Sequence, residues 1–437
     1  MSRLHPTPLT RFLLSGCFAL SLSSTPAFAS CDEPTPPLTF TIGGDLRLRG
    51  EGWSHFNFEE TAQGVFGLSQ LRLHTSLAAW DYAKLYVEAL SALSTPRDLP
   101  GGNRTIDVDS IALQNAYLDL KYPFSPETQL LLRTGRQEVD LGKQRLVSSL
   151  AWVNSRRTFD GLRLQGSWSP FQVDAFYLQP VHVKSWDFNQ SSPQQSLYGL
   201  YGHAPVGALE AELYWLGLHK ANAQYHDISG IENRHTLGTR WATLFKKDWN
   251  AEFEGAWQWG MFTNQAIQAG FVATEVSYQP GQLERWTNPR FSLGFDYASG
   301  DASREDKVLN TFNQLYPLAH AYYSISDVLG RQNAVDARLG VQVFPLKAFQ
   351  LSATLHQFWR ASTTDDIYGV ASSRFREGST SSAQTIGTAI DLVTKYKFSP
   401  QWDAEGGYSY FLPGRFIADS GQSSPLQFIY LSSAYHF

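Results

Sequence analysis

Apolar and polar side chains alternate in short segments from residue 38 to the end of the chain, without a helical pattern of useful length. The segments predict about 18 strands, and charges keep to one face of each; Glu252 and Glu254, for example, alternate with Phe253. A lysine or arginine that faces lipid costs about 2–4 kcal/mol. The charged face therefore has to line an aqueous interior, and we expect an all-β fold, a transmembrane antiparallel β-barrel of about 18 strands around a water-filled channel rather than a packed core.

Connections between the predicted strands alternate in length. Every second one is tight, as at Asp81-Tyr82, Ser169-Pro170 and Ser399-Pro400. The other set includes the long ones, at residues 55–67, 94–109, 139–157, 182–194, 220–233, 301–332, 360–383 and 413–424. Outer-membrane barrels have short periplasmic turns and long outer loops, so we expect both termini in the periplasm.

The N-terminus has the form of a cleaved secretory signal over residues 1–29, followed by a single barrel domain over residues 30–437. Arg3 and Arg11 precede a short apolar run, and Ala27-Phe28-Ala29 offers small residues for cleavage. Cleavage changes the formal net charge from −5 to −7. Lipidation at Cys17 or Cys31 is the alternative. We expect export to the outer membrane of a Gram-negative bacterium.

Composition and the C-terminal strand agree with a barrel in lipid. Aromatic residues make up 14% of the chain and charged residues 17%, which disfavours a soluble protein. No apolar run of 18 residues follows the signal, which excludes a helical membrane protein. The chain ends on an aromatic, Phe437, as does the signal read by the barrel assembly machinery. That machinery and outer-membrane lipid are therefore expected partners.

The stretch Gly135–Leu164 (GRQEVDLGKQRLVSSLAWVNSRRTFDGLRL) carries arginines and acids between two strands. Arg136, Arg145, Arg156, Arg157 and Arg163 lie in it, and Arg133 just precedes it. So many charges beside apolar strands need water, which an aqueous channel supplies. The alternative is a charged surface loop between soluble strands.

This stretch resembles the signature of the alginate-export family of outer-membrane porins. Four further motifs share that resemblance: RHTLGTRW at 234–241, GAWQWG at 255–260, TFNQLYP at 311–317 with His320-Ala321-Tyr322, and GRQN at 330–333. The resemblance implies an 18-stranded monomeric barrel with an arginine-rich, anion-selective lumen that exports alginate, a polymer of uronic acids. One departure is that dedicated alginate exporters are longer and carry a long periplasmic turn late in the chain, whereas the late turns here are tight.

Candidate solute-binding residues are the charged side chains on inferred lumen faces and in the signature stretch. Guanidinium groups pair bidentately with carboxylates, so a ladder of arginines would attract an acidic polysaccharide or another anionic solute. The structural alternative is a lattice of arginine–carboxylate pairs that stiffens the wall. The candidates are Arg47, Arg49, Arg72, Arg133, Arg136, Glu138, Arg145, Asp160, Arg163, Arg240 and Arg338.

No cofactor is expected, apart from Ca²⁺ at the outer loops. Asp301 and Asp306, with Asp327 and Asp336, supply the oxygen ligands that Ca²⁺ prefers. A barrel lipase needs serine, histidine and a polar partner in contact. His74, His235 and His356 are available, but no spacing selects a set. We therefore expect no enzyme, and the acidic mature charge gives no reason to expect nucleic acid.

These features predict a passive, anion-selective outer-membrane channel for the export of an acidic polysaccharide such as alginate. The alternatives are a general or uptake porin for small anionic solutes and, from another class, a barrel enzyme or adhesin.

Overall fold

The computed structural model describes residues 38–245, 248–283 and 286–437. The predicted signal, Cys17 and Cys31 lie outside these ranges. Eighteen long strands form the wall, numbered here in chain order. They are β1 Leu38–Ser54, β2 Gly64–Ala79, β3 Ala83–Ser94, β4 Asp109–Ser125, β5 Thr128–Gln137, β6 Phe159–Trp168, β7 Phe171–His182, β8 Gln195–Val206, β9 Leu209–Tyr225, β10 Ile228–Phe245, β11 Trp249–Phe262, β12 Gln265–Tyr278, β13 Trp286–Ala298, β14 Ala334–Leu346, β15 Phe349–Trp359, β16 Thr385–Lys397, β17 Trp402–Pro413 and β18 Leu426–His436.

The wall is a closed antiparallel barrel. Each strand pairs with its neighbours in sequence, and β18 returns to β1, with Asp45 opposite His436 and Ser54 opposite Gln427. Closure leaves no sheet edge, which is what a sheet needs in lipid. The predicted fold class and the number of strands are confirmed.

Burial separates the two faces of the wall as the alternation predicts. On β9, Leu213 is 63% exposed on the outer face, whereas its neighbour Glu212 is only 8% exposed. Leu237 on β10 and Leu293 on β13 repeat the outer pattern. The apolar face therefore meets lipid and the charged face lines the interior.

The connections follow the predicted short and long alternation with one correction. The connection expected at 220–233 is a turn of two residues, His226 and Asp227, because β9 and β10 continue as a long hairpin with a register shift between Lys220 and Ala223. Longer connections carry the remaining elements. These are the short strands Gln190–Ser191, Gln282–Leu283, Val308–Leu309, Ile367–Tyr368 and Arg374–Arg376, the 3₁₀ turns Phe56–Phe58, Ala319–Ala321 and Gly378–Thr380, and the helix Arg415–Ser420.

None of the helices in these described ranges is long and apolar enough to cross a membrane.

Part of the interior is packed, which corrects the expectation of a wholly water-filled channel. Two long connections fold inward and place apolar residues against the wall. Val147 and Phe312 from these connections are fully buried with Leu178 and Leu216 of the wall. The alternation of apolar and polar residues describes only the strands of the wall. It therefore does not reveal the side chains that the connections place inside the barrel.

Candidate functional site

The connection between β5 and β6, residues 138–158, crosses the lumen, and we call it the bridge. Its near end is fixed to β1 and β2, where Arg47 donates to the carbonyl oxygens of Ala151 (3.0 Å) and Val153 (2.7 Å). Arg49 donates to Trp152 O at 2.6 Å. These arginines point inward from the wall, so the bridge backbone lies inside the barrel.

Asn154 fixes the same end of the bridge to three wall carbonyls. Its buried Nδ2 donates to Ser69 O (3.0 Å), Leu93 O (3.1 Å) and Asp107 O (2.9 Å). These acceptors belong to β2, β3 and the connection after β3. One side chain thereby joins two wall strands and one connection to the bridge.

The far end of the bridge reaches the opposite wall. Arg145 Nη1 donates to Glu252 (2.6 Å) and Glu254 (2.8 Å) of β11. Gly142 has φ +52°, and a Cβ there would lie 2.3 Å from the hydroxyl of Tyr201 on β8. The bridge therefore spans the lumen, and a glycine is needed where its backbone touches the far wall.

A second inward segment, residues 311–332 of the connection after β13, runs beside the bridge, and we call it the strap. The Tyr316 amide donates to Leu146 O at 2.8 Å, and the Ser148 amide donates to Tyr316 O at 2.9 Å. On β11 the side-chain amide of Gln258 both donates to and accepts from the backbone of Asn313 at 2.8 Å. Bridge and strap therefore form one constriction element.

Most of the predicted arginines are already paired with carboxylates. Arg145, for example, is 3% exposed and lies between two acids. Such pairs carry little net charge, because each guanidinium lies beside a carboxylate. The closest pairs are Arg49–Glu51 (2.9 Å), Arg72–Glu88 (2.8 Å), Arg133–Asp119 (2.7 Å), Arg145–Glu252 (2.6 Å), Arg163–Asp174 (2.9 Å), Arg240–Glu212 (2.7 Å) and Arg338–Asp296 (2.9 Å).

Arg136 and Asp160 do not line the lumen, which corrects the prediction for both. They pair with each other at 2.7 Å and alternate with Gln137 and Phe159, which are fully buried on the inner face. The pair therefore faces outward. The predicted Glu138 does lie in the constriction, where it accepts from Arg156.

Four cations at the constriction form no ion pair with a carboxylate among the residues that the structure describes. Arg47 donates to bridge carbonyls alone, and Arg157 donates to Ser148 O (3.1 Å) and Tyr316 O (2.6 Å). Lys220 of β9 lies 6.0 Å from the ring of Tyr316, and Arg157 lies 5.3 Å from it. The fourth is Lys143, exposed at the tip of the bridge.

Sequence reasoning selected only Arg47 from this set. Lys143, Arg157 and Lys220 were missed because the absence of an ion pair to a carboxylate is a property of the fold. The one available signal was the position of Lys143 and Arg157 within the signature stretch.

The four aspartates proposed for Ca²⁺ have separate partners. Asp301 contacts His226, whereas Asp306 accepts from the Val308 amide. Asp327 pairs with His320, and Asp336 pairs with Arg338 and His356. Across the described ranges, no cluster of three or more His, Cys, Asp or Glu side chains has a geometry that could hold a metal ion.

His226 instead joins three connections at one end of the barrel in a buried charged cluster. Its Nε2 lies 3.2 Å from Asp301 after β13, and its Nδ1 lies 3.4 Å from Asp366 after β15. Burial lowers the pKa of His226, but hydrogen bonds to Asp301 and Asp366 and the charge of Asp365 raise it to about 9. Burial also raises the pKa of Asp365 to about 6. His226 is therefore charged at neutral pH and holds these connections together.

The histidines considered for catalysis have other surroundings. His235 stacks on Trp215 with ring centroids 5.7 Å apart. His356 lies between Asp336 (3.0 Å) and Asp391 (3.7 Å). Neither ring has a hydrogen bond to a serine hydroxyl within the described part of the chain.

The chain matches one protein family and is similar in fold to several solved structures. The profile of the alginate export family matches residues 39–428. The fold is similar to OccD3 of Pseudomonas aeruginosa (TM-score 0.58, 12% identity, 91% of each chain covered) and to the outer membrane protein OprD of the same organism (0.56, 13%, 91% of this chain and 93% of OprD). It is also similar to OccAB4 of Acinetobacter baumannii (0.57, 12%, 91% and 98%).

A search of curated proteins gave no match. Because the structural neighbours share so little sequence, they support the fold and not a solute. The family profile covers nearly the whole barrel, including the bridge and the strap. The chain belongs to the alginate export family of outer-membrane channels.

Proposed function

We propose that this outer-membrane channel is passive and anion-selective and that its solute is an acidic polysaccharide of the uronic acid class. The observation that carries the proposal is the set of unpaired cations at the constriction: Arg47, Lys143, Arg157 and Lys220. The solute carries one carboxylate per sugar. Unpaired cations in a narrow aqueous passage attract such a chain without holding it in one place.

The paired arginines of the wall have a different role in this proposal. A solute carboxylate has to displace Asp119 to reach Arg133, for example, and leaves a buried acid without its partner. The unpaired cations have no such competitor. We therefore assign the attraction of anions to the bridge and to Lys220, and the stiffness of the wall to the paired arginines.

A second candidate is a porin for small anionic solutes. The connections late in the chain are tight, at residues 347–348 between β14 and β15 and at 398–401 between β16 and β17. The long periplasmic turn expected of dedicated alginate exporters is therefore lacking at these positions. A constriction of two joined segments also suits a small solute.

The test is block of single channels by oligouronates of increasing length, with neutral oligosaccharides of the same length as the reference. For a polymer channel, block strengthens with oligouronate length beyond the dimer. For a small-solute porin, it does not. If neutral and acidic oligomers block equally, the anionic class itself is wrong.

Matched variants separate the two kinds of cation. A charge 4 Å away contributes about 1 kcal/mol in water, or about fivefold in affinity. Replacing Lys143 and Lys220 by Gln should therefore weaken oligouronate block several-fold. The control Arg133→Gln with Asp119→Asn removes both members of a pair, so net charge is unchanged and block should be unchanged. Equal loss in both variants would contradict the assignment.

A further inference from the structure

The connection between β7 and β8 forms an ordered flap, residues 183–189, that the channel function does not use. Its two aromatic side chains are among the most exposed in the described chain, with Trp186 at 76% and Phe188 at 66%. Exposed aromatic pairs on an ordered loop are uncommon on a surface that meets only water.

Hydrogen bonds fix the flap to the barrel wall. The Ser110 amide of β4 donates to Ser185 O at 2.9 Å. Asn189 Nδ2 donates to Asp109 Oδ2 at 2.7 Å, and the Lys184 amide donates to Asn189 Oδ1 at 2.7 Å. The flap therefore has a defined position along the edge of β4.

The flap lies at the rim of the wall, where Asp109 also accepts from Ser155 of the bridge at 3.1 Å, and it reaches the outward-facing side. Arg136 Nη2 donates to Asn189 O at 3.3 Å, and the Arg136–Asp160 pair faces outward. Two residues along β6 from Asp160, the outward-facing Leu162 is 52% exposed. The flap thus continues the apolar outer face of the barrel.

Along the barrel axis, the flap lies level with one edge of the apolar band that faces the hydrocarbon core of the bilayer. Outward residues of β4 are apolar from Phe124 (64% exposed) to Ile111 (58% exposed). At about 3.3 Å per residue and a tilt of about 40°, this stretch spans roughly 33 Å of bilayer thickness. The flap contacts Ser110, next to Ile111, and therefore lies where hydrocarbon meets headgroups. Tryptophan favours that layer.

We propose that the flap docks on outer-leaflet lipid, with Trp186 and Phe188 inserted between headgroups and acyl chains. The partner is the lipid surface itself, because the flap is continuous with the face that lipid already covers. The proposal does not depend on what passes through the channel.

A nitroxide at Asp187→Cys, in a Cys31→Ser background, reports the depth of the flap and leaves both aromatic rings in place. Asp187 is 69% exposed. The full-length mature protein is reconstituted at high dilution in phosphatidylcholine vesicles. We expect the label to collide more with oxygen than with an aqueous nickel chelate, as a label at the lipid-facing Leu213 does. A label at Ser373, exposed after β15, is the aqueous reference.

Replacing Trp186 and Phe188 by Ser should move the label into water and raise its nickel accessibility several-fold, while the barrel keeps its heat-modifiable migration. If the label in the parent protein is as accessible to nickel as the Ser373 label, the proposal fails. It also fails if the double substitution changes nothing, or if protection occurs only at high protein density, which would indicate a contact between copies.

Discussion

Gly135 shows how one residue supports the wall where the bridge begins. Its φ is +121°, and a Cβ at this position would lie 2.2 Å from Ala116 O on β4. Backbone in this region costs other residues about 1–3 kcal/mol. The glycine therefore allows β5 to stay paired with β4 just before the chain turns inward.

Gly135→Ala should lower the free energy of unfolding by at least about 1–3 kcal/mol, because it adds both backbone strain and a clash. The measurement is equilibrium urea unfolding in lipid vesicles. Gly50→Ala on β1 is the control, since a Cβ there meets nothing within 4 Å. Equal stability of the two variants would contradict the role of Gly135.

At the scale of elements, the bridge is the segment that crosses the lumen and is held at both ends. Asn154 holds one end and Arg145 the other, so we expect a constriction of constant width. In Asn154→Ala, three wall carbonyls lose their donor. Loss of a buried partner costs about 1–3 kcal/mol, and a loss of 2 kcal/mol raises the released population about 30-fold.

Single-channel recordings of Asn154→Ala should therefore show larger open-channel noise than recordings of the parent protein. They should also show more frequent brief closures. Asn222→Ala is the control, because its side chain makes one exposed hydrogen bond, to Gln194. A quiet Asn154→Ala channel would mean that Arg47, Arg49 and Arg145 fix the bridge without it.

The connections that His226 joins should respond to pH. Because the pKa of His226 is raised to about 9, its stabilising charge is fully present below its ordinary pKa and is lost as the pH rises through 9. Protease cleavage within 360–384 should be faster at pH 9.5 than at pH 7.5. In His226→Gln it should be fast at both values. A parent protein with equal rates at both pH values would contradict this role.

For the whole molecule, the wall was predictable from sequence and the interior was not. Alternation such as Glu252-Phe253-Glu254 shows which face of the wall each side chain occupies. Closure of the barrel follows because every strand in lipid has to be paired on both sides. The route of the bridge depends on contacts between distant residues, such as Arg145 with Glu252. Alternation cannot show which arginines are paired, so Arg133 and Arg47 look alike in sequence and differ in the structure.

The same limit explains the two corrections to the wall. Arg136 and Asp160 lie past the lipid-facing part of β5 and β6, where a charge can face outward beneath the flap. The hairpin of β9 and β10 continues beyond the membrane because Tyr225 and Glu232 bond to each other and to Asn313 of the strap. Neither contact leaves a local signal in the sequence.

The zero-current potential of the parent channel in a gradient of potassium chloride tests the central claim most directly. The mature chain carries a formal net charge of −7 if residues 1–29 are removed, so charge spread evenly would favour potassium. Unpaired cations at the constriction predict a preference for chloride instead, because ions respond to the local field in the narrowest part. The preference should weaken at 1 M salt, where the screening length is about 3 Å. A preference for potassium at low salt would contradict the account.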